Sequence, residues 1–411
     1  MNPNILKLNT IARKKERRII GLMSGTSLDG LDIALCTISG AGEETNVSLN
    51  RFVTKEYSED FADELRKISS VESANLAEVC YLHTRLARLH AEWILEALKV
   101  WGVNSADVDC IASHGQTIYH YPARDQGGKT NPLNTTLQIG DGDQIAVKTG
   151  ILTVSDFRQK HTAFDGEGAP MAGLIDNLLF KDQNESRILL NIGGIGNYTY
   201  LPVSSETKNE AFTTDTGPGN TLIDKCTQIY FNLPFDRDSE IAASGSVHQT
   251  LLKELLSEPW FIGGGSKTTG PEFFSIEWLN KKILEAGLNI DTLKKEDLIR
   301  TVTELSAVTI ADHISTTCNE SDFKQVVYIS GGGARNPLLV RRLKSLLPSF
   351  RVENFSKLGI DPDAKEAVLF AVLANEMLAG EGFLFNTGDP NSEDQGQNQT
   401  HVNFGKISFP D

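Results

Sequence analysis

Each half of this 411-residue chain opens with two short strands joined by a glycine-rich turn. The first pair spans residues 18–38 around a turn at 24–30, and the second spans 187–202 around a turn at 193–197. Apolar runs and alternating apolar residues rich in β-branched side chains indicate strands at these positions. Because the second hairpin follows the first by about 170 residues, the sequence predicts a duplicated pair of domains. No residue-level identity beyond the hairpins supports a repeat.

Strand and helix patterns alternate along the rest of the chain, which predicts an α/β fold. Helices are expected within 58–101 and 248–316 and at 336–343 and 364–380, and strands at 108–118, 325–330 and 404–409. We predict an N-terminal α/β domain of residues 18–150 completed by 375–411, and a second α/β domain of residues 151–374. Polar stretches at 124–135 and 388–400 are predicted as loops of unassigned role.

Charge and composition exclude several classes of function. Acidic residues outnumber basic ones by 54 to 39, and the net charge of -15 disfavours nucleic acid or an anionic lipid surface as a partner. No apolar run approaches about eighteen residues, so no membrane span is predicted. The basic run at 13–18 is not followed by a secretory signal and is interpreted as a solvated tail, so a cytoplasmic location is expected. The five scattered cysteines form no Cys-x-x-Cys pair and are interpreted as buried small apolar residues.

Four glycine-rich turns are candidates for contact with a phosphate-bearing ligand, and they lie at 24–30, 193–197, 215–220 and 331–336. Glycine lets the backbone approach a ligand closely and present several N–H groups to it. Phosphate is the ligand that such donors commonly bind. The first hairpin returns as a strand, whereas P-loop and dinucleotide-binding turns run into a helix, so a nucleotide here would need a hairpin-type phosphate loop. Any one of these turns alone is also what a tight connection requires.

The first turn also carries oxygen ligands. Thr26 and Ser27 contribute hydroxyl groups, and Asp29 and Asp32 are suited to hold a metal ion through water. Magnesium is commonly bound by one or two carboxylates together with phosphate and water, which is what this turn offers. The sequence therefore favours a magnesium–phosphate ligand at the first hairpin.

Three acidic residues elsewhere are candidates for proton transfer. Asp215 lies in the third glycine-rich turn, Asp156 lies within Ser-Asp-Phe-Arg at 155–158, and Glu366 stands at a helix start. Each is also open to a structural interpretation, as a turn residue or as a favourable helix N-terminal charge. His114, within Ser-His-Gly-Gln-Thr, is either a ligand contact or a core histidine.

Nine motifs in order resemble the anhydro-N-acetylmuramic acid kinase family over roughly residues 18–410. They are Gly-Leu-Met-Ser-Gly-Thr-Ser-Leu-Asp-Gly-Leu-Asp at 21–32, Ser-His-Gly-Gln-Thr at 113–117, Leu-Gln-Ile-Gly at 137–140, Asp-Phe-Arg at 156–158, Gly-Ala-Pro at 168–170, Asn-Ile-Gly-Gly at 191–194, Asp-Thr-Gly-Pro-Gly-Asn at 215–220, Lys-Thr-Thr-Gly at 267–270 and Gly-Gly-Gly-Ala-Arg-Asn-Pro at 331–337. The resemblance implies two ribonuclease-H-like α/β domains of the actin, Hsp70 and sugar-kinase type with a cleft between them. It also implies an enzyme that uses ATP, Mg²⁺ and water to open a 1,6-anhydro ring and phosphorylate O6, and it suggests a homodimer. The product would be N-acetylmuramic acid 6-phosphate, an intermediate of cell-wall recycling.

The resemblance carries functional roles onto individual residues. Asp215 matches the family's general base, and Glu366 matches a second acid close to the sugar. The implied ATP-binding positions are Gly25, Thr26, Ser27, Leu28, Asp29, Gly30, Leu31, Asp32, Gly193, Gly194, Gly331, Gly332, Gly333 and Asn336. The implied sugar-binding positions are His114, Gln116, Thr117, Asp156 and Arg158.

The chain departs from the family pattern where positive or neutral residues are usual. Glu167 stands in place of a neutral amide, Asp165 in place of a glycine, and Pro271 in place of an arginine. Because muramic acid carries a lactyl carboxylate, these changes leave a levoglucosan-type anhydrosugar kinase as an alternative. A non-catalytic, nucleotide-binding actin-like protein is a further alternative, against which the intact Asp215 and Glu366 argue.

Overall fold

The computed structural model describes residues 2–25, 27–168, 171–203, 211–262, 267–270, 273–318, 324–386 and 399–411. The strands are β1 Glu16–Ser24, β2 Gly30–Ser39, β3 Asn46–Glu56, β4 Cys110–Tyr121, β5 Thr135–Ile139, β6 Thr153–Ser155, β7 Glu185–Ile192, β8 Ile195–Leu201, β9 Phe212–Pro218, β10 Lys324–Ser330, β11 Arg351–Asn354, β12 Phe383–Asn386, β13 Gln399–Val402 and β14 Lys406–Ser408. The α-helices are α1 Pro3–Ala12, α2 Glu59–Arg66, α3 Leu76–Trp101, α4 Gly142–Thr149, α5 Phe157–Thr162, α6 Ala172–Phe180, α7 Thr221–Phe231, α8 Glu240–Ser244, α9 Gln249–Leu256, α10 Ile276–Glu285, α11 Lys295–Thr317, α12 Pro337–Leu346 and α13 Lys365–Ala379.

The chain forms two compact units, of which unit 1 comprises Met1–Leu179 and Asp363–Asp411, and unit 2 comprises Phe180–Pro362. The predicted division was different, because it placed 151–179 and 363–374 in the second domain. Sheet pairing explains the difference for the first segment, since β6 pairs with β4 and with β14 in the sheet of unit 1. Helix packing explains it for the second, because α13 lies against β1, β2 and β4.

Unit 1 is built around a mixed sheet with the strand order β14-β6-β4-β1-β2-β3, to which β5 adds by pairing with β4. β1 pairs antiparallel with β2 and parallel with β4. Helix α13 approaches one face so closely that a Cβ atom on Gly21 would lie 1.8 Å from the carbonyl oxygen of Ala367. Ile20 and Leu22 alternate with Gly21 along the strand and pack on the other face with Ile94 of α3. Helices therefore cover both faces of this sheet.

Unit 2 is built around a five-stranded sheet with the order β11-β10-β7-β8-β9. β7 pairs antiparallel with β8 and parallel with β10, and its apolar side chains form a buried core with α11 and α12. Read from the opposite edge, β9-β8-β7-β10-β11 repeats the order and the strand directions of β3-β2-β1-β4-β6 in unit 1. The predicted duplication and the predicted ribonuclease-H-like α/β fold of each half are confirmed by this shared topology. The last strand, β14, rejoins a sheet as predicted.

Two expectations about the periphery are wrong. Part of the basic segment is not a solvated tail, because Arg17 is only 2 % exposed and its Nε donates to Asn375 Oδ1 over 2.7 Å. Helix α1 precedes this segment, so the chain is already folded there. Of the five cysteines, Cys80 is exposed on α3, and the other four are buried as predicted. None of the helices in the described part of the chain has the length and apolarity needed to cross a bilayer.

Candidate functional site

The first glycine-rich turn joins β1 to β2 and is held at both ends by the backbone. Leu28 N donates to Gly25 O over 3.2 Å, and Tyr57 N donates to Asp29 O over 3.0 Å. Leu28 adopts a left-handed φ of 56° and is anchored in the apolar core that α2 and α3 share. The turn therefore has a defined shape, although Thr26 lies outside the described residues.

The positions implied to bind ATP at this turn differ in what they offer a ligand. Ser27 and Asp29 are exposed and Asp32 is half-buried, so their oxygen atoms are available. Gly30 and Leu31 already belong to β2, and Leu31 is 1 % exposed in the core. The side chain of Leu31 is used by packing in the core, so only its backbone is left to meet a ligand, and its assignment to the ATP site stays a prediction.

A chain of buried side chains supports the turn from below. Ser24 Oγ donates to Gln116 Oε1 over 2.6 Å and also lies 2.9 Å from Tyr57 Oη, which lies 2.8 Å from His90 Nε2. Gln116 Nε2 donates in turn to Gly25 O over 3.1 Å. Gln116 is 0 % exposed, so its implied role as a direct sugar contact does not fit, and it holds the turn instead.

Acidic side chains of unit 1 lie near one another beside the turn. Burial raises the pKa of Asp32, and the nearby carboxylates of Asp29 and Asp363 add to that rise, while Thr54 Oγ1 donates to Asp32 Oδ1 over 2.5 Å and lowers it. The side chain of Glu366 is exposed in the first turn of α13. Protein packed around it raises the pKa of its carboxyl group, and the nearby Lys365 and Arg158 cations lower it. A proton is thus easier to place on these carboxyl groups than on ordinary surface acids.

Asp29 and Asp32 of this group fit a magnesium ion whose remaining ligands come from phosphate and water. Within the described ranges, no three His, Cys, Asp or Glu side chains cluster closely enough to hold a metal by themselves. The carboxylates of Asp29 and Asp32 and the hydroxyl of Ser27 are hard oxygen donors of the type that magnesium prefers. This donor set suits an ion that arrives with a nucleotide.

Arg158, which is partly exposed, contacts the buried His114 in unit 1. Arg158 Nε donates to His114 Nε2 over 2.9 Å, and its terminal nitrogen donates to Gly168 O over 2.7 Å. Burial and the adjacent Arg158 cation lower the pKa of His114 to about 3, so the ring is neutral. Because Nε2 accepts, the ring proton is on Nδ1. His114 is 3 % exposed and packs on Phe370, so it serves chiefly to fix Arg158.

Two of the sugar-binding candidates line a polar cavity of about 400 Å³ at the carboxyl ends of β5 and β6. His114 and Asp156 line this cavity together with Gln138 and Lys406. Thr117 lies at its edge, where its Oγ1 accepts from Gln138 Nε2 over 3.1 Å. Lys406 forms an ion pair with Asp156, whose φ of 56° places it at a sharp bend before α5. Gln138 belongs to the Leu-Gln-Ile-Gly motif at 137–140, to which the sequence assigns no role.

Asp215 lies on β9 of unit 2, where a neighbouring segment fixes its backbone and its carboxylate. Asp215 N donates to Lys267 O over 3.0 Å, and Asp215 Oδ2 accepts from Thr269 N over 2.8 Å. Burial raises the pKa of Asp215, and the hydrogen bond from Thr269 lowers it, with burial the larger effect. A half-buried, oriented carboxylate with a raised pKa is what a general base requires.

Three glycine-rich turns of unit 2 meet at the ends of β7, β9 and β10. Gly219 N donates to Gly194 O and Asn220 N to Gly193 O, each over 2.8 Å. Gly331 has a φ of 79°, and a Cβ atom there would lie 2.5 Å from Asn191 Oδ1. Only glycine fits at such a position. The structure thus brings together the predicted residues Gly193, Gly194 and Gly331 from distant parts of the sequence.

These turns border a cavity of about 370 Å³ in unit 2. Gly332, Asn220 and Asn336 line it, and Asn336 also caps α12, because its Oδ1 accepts from Leu339 N over 2.9 Å. Other residues that line the cavity carry no functional signal in the sequence, and they include Asp224, Phe235, Arg237 and Arg335. Burial and the neighbouring Asp236 raise the pKa of Asp224 to about 6. This lining suits a nucleotide, because it offers an aromatic ring, two arginines and a hydrogen-bonding carboxyl group. No local sequence motif predicts these residues.

One of the departures from the family pattern has a structural explanation, because Glu167 forms an ion pair with Arg124. Asp165 O accepts from Asn134 Nδ2 over 2.7 Å, a backbone contact that a glycine would also make. The 124–135 loop thus packs against the segment that carries both changes and offsets the charge of Glu167. Pro271 and residues 388–398 of the second loop lie outside the described residues.

Two ribonuclease-H-like units with glycine-rich turns at their strand ends define the actin, Hsp70 and sugar-kinase class of α/β proteins. The sequence model of the anhydro-N-acetylmuramic acid kinase family matches residues 17–382 of the chain. The anhydro-N-acetylmuramic acid kinase of Pseudoalteromonas atlantica is 45% identical over 100% of both chains. That of Caldanaerobacter subterraneus is 38% identical over 91% of this chain and 94% of its own. The chain therefore belongs to the anhydro-N-acetylmuramic acid kinase family.

Proposed function

We propose that the chain is an ATP-dependent kinase that opens the 1,6-anhydro ring of anhydro-N-acetylmuramic acid and phosphorylates O6. Its product is N-acetylmuramic acid 6-phosphate, as expected for a cytoplasmic enzyme of cell-wall recycling. The observation that carries the proposal is Asp215, an oriented carboxylate with a raised pKa in a chain that belongs to this family.

In this proposal, Asp215 takes a proton from the water that attacks C1 of the sugar. The bond between C1 and the bridging oxygen breaks, and that oxygen, now O6, attacks the γ-phosphorus of ATP while ADP leaves. Thr269 N–H keeps the carboxylate of Asp215 in one orientation throughout. Glu366 is the second acid, and its raised pKa suits a group that holds a proton near the reacting sugar.

The turns supply the binding energy for the nucleotide. The Gly25 backbone and the hydroxyl of Ser27 are the groups of the first turn that we assign to the phosphates, because the Leu28 N–H already donates to Gly25 O. The cavity lined by Gly332 and Asn336 is assigned to the nucleoside. Phosphoryl transfer depends on positioning and on neutralising charge, so fixed donors contribute directly to its rate. Asp29 and Asp32 would hold Mg²⁺ through water, and the ion would neutralise charge on the phosphates when bound.

Release of ADP from purified protein with ATP and Mg²⁺ tests the proposal when 1,6-anhydro-N-acetylmuramic acid, levoglucosan and no sugar are compared. We expect turnover that depends on the muramic sugar. Turnover that favours levoglucosan would keep the mechanism and change the substrate, and turnover with neither would refute the kinase. Sedimentation of the same protein checks the homodimer that the family resemblance suggests.

The Asp215→Asn variant isolates the base. It should bind ATP normally and lose turnover by a factor on the order of 10² or more, because the general base is gone. Asp312→Asn is a matched control, since burial also raises the pKa of Asp312, which lies on α11 of the same unit. Near-normal turnover by Asp215→Asn, or an equal loss in both variants, would remove Asp215 from this role.

A further inference from the structure

The hydrogen-bond chain His90–Tyr57–Ser24–Gln116, here named the turn-support chain, has only one consistent set of donors. Gln116 Nε2 donates to Gly25 O and to Thr117 O, so Oε1 is an acceptor, and Ser24 Oγ donates to it. Because the Ser24 proton is then used, the Tyr57 hydroxyl must donate to Ser24 Oγ. His90 Nε2 must in turn donate to Tyr57 Oη.

The side chains of the turn-support chain are buried, so water cannot replace any of these hydrogen bonds if one is lost. Ser24, Gln116 and His90 are at most 1 % exposed, and Tyr57 is 8 % exposed. Burial lowers the pKa of His90 to about 3, so the ring is neutral and carries its single proton on Nε2. His90 Nδ1 has no hydrogen-bond partner among the described residues. A ring with one unpaired nitrogen depends on its other hydrogen bond to Tyr57 to stay in place.

The turn-support chain contacts the backbone of the glycine-rich turn at both of its ends. Gln116 holds the Gly25 carbonyl from one side, and the Tyr57 backbone N–H holds the Asp29 carbonyl from the other. Tyr57 therefore acts at both ends of the turn, directly on Asp29 through its backbone N–H and on Ser24, the residue before Gly25, through its hydroxyl. Its ring is itself fixed by Phe61, at a centroid distance of 5.2 Å, and by Trp93, at 5.4 Å. The exposed part of the turn is thus supported by packed aromatic side chains.

We propose that Tyr57 and His90 are positioning residues that hold the glycine-rich turn in the shape that binds the phosphates of ATP. They act through Ser24 and Gln116 and do not touch the nucleotide. The inference rests on the proposed function for the identity of the nucleotide. Donors fixed before binding lose little conformational entropy when the ligand arrives, which is why such support raises affinity.

The test compares Tyr57→Phe with wild type in nucleotide binding by calorimetry, in the separate KM values for ATP and sugar, and in thermal unfolding. Tyr57→Phe removes only the hydroxyl, so the aromatic packing remains. We expect the dissociation constant and the KM for ATP to rise roughly tenfold, since a lost hydrogen bond of ordinary strength has about that effect. The KM for the sugar should change less than about twofold.

Two further variants separate positioning from stability. Tyr198→Phe is the matched control, because Tyr198 is a buried tyrosine of unit 2 whose hydroxyl lies 2.9 Å from His313 Nδ1. It should lower the unfolding midpoint without changing ATP affinity. In Tyr57→Phe/His90→Leu both polar partners become apolar, so stability should recover while ATP affinity stays weak.

The outcomes distinguish this inference from the proposed function. An unchanged ATP affinity in Tyr57→Phe, or its recovery together with stability in the double variant, would overturn the positioning role. A wild-type protein that binds ATP but turns over no anhydrosugar would refute the proposed kinase and leave the binding test of the turn-support chain valid. A wild-type protein that does not bind ATP would overturn both.

Discussion

Replacing Gly25 by valine gives a direct test of the first hairpin as the phosphate loop. Gly25 does not have the left-handed φ that favours glycine, and a Cβ atom there would meet only Ser27 Oγ, at 3.5 Å, among the described residues. The folded protein therefore has room for the Cβ atom from which the valine side chain branches. Because a β-branched residue has fewer unfolded conformations than glycine, stability should stay the same or rise by up to about 1 kcal/mol.

If the turn wraps the phosphates of the bound nucleotide, a valine side chain at position 25 would clash with them. Each backbone N–H that loses a phosphate oxygen gives up a charge-assisted hydrogen bond of about 1.5–3 kcal/mol. The KM for ATP should therefore rise roughly 10- to 100-fold in Gly25→Val, since about 1.4 kcal/mol corresponds to a factor of ten.

The assay measures ADP release against ATP concentration, with thermal unfolding of each variant measured in parallel. Gly127→Val is the control, because Gly127 lies in the 124–135 loop with no described atom within 4 Å of its Cβ position. An ATP affinity in Gly25→Val equal to that of wild type would show that this hairpin does not bind the phosphates. A large loss of stability would contradict the packing argument instead.

Three further predictions concern pH and stability. Burial raises the pKa of Asp215, so kcat/KM should fall on the acid side with an apparent pKa above 3.8, the ordinary aspartate value. Above that apparent pKa the base is unprotonated and should be fully active. A value of kcat/KM that stays constant down to pH 3.8 would contradict the assignment. Arg342→Met should lower the free energy of unfolding by about 2 kcal/mol, because it leaves the buried Glu304 carboxylate without its two Nε contacts of 3.0 and 2.8 Å, and denaturant titration checks this. Gly333→Ala should lower the same quantity by roughly 1–3 kcal/mol, since its Cβ would lie 2.3 Å from Ile192 Cγ2, and an unchanged unfolding midpoint would contradict the close packing of the turns.

The role of Gln116 shows where inference from motifs is limited. The family resemblance placed Gln116 with the sugar-binding residues because it lies in the same short motif as His114. In the structure it is fully buried and connects Ser24 to the Gly25 carbonyl. A motif records that several residues matter together, and it does not say which of them touch the ligand and which hold the others.

Glu167 gives a second example, in which tertiary structure changes the meaning of a charge. The sequence shows an added negative charge and raises doubt about a substrate that carries a carboxylate. The ion pair with Arg124 offsets that charge from a loop about forty residues away, and no local pattern predicts such a partner.

The sequence by itself determined the two hairpins, the α/β class of each half, the candidate base Asp215 and the family. These features depend on local patterns, because strand alternation, glycine-rich turns and the residues within a motif are all readable over a few positions. Tertiary structure alone decided that α13 completes unit 1, that Arg17 is buried, and that Asp224 and Phe235 join Asn336 around one cavity. These outcomes depend on contacts between segments far apart in the chain, where burial and close packing, rather than any local preference, select the neighbours.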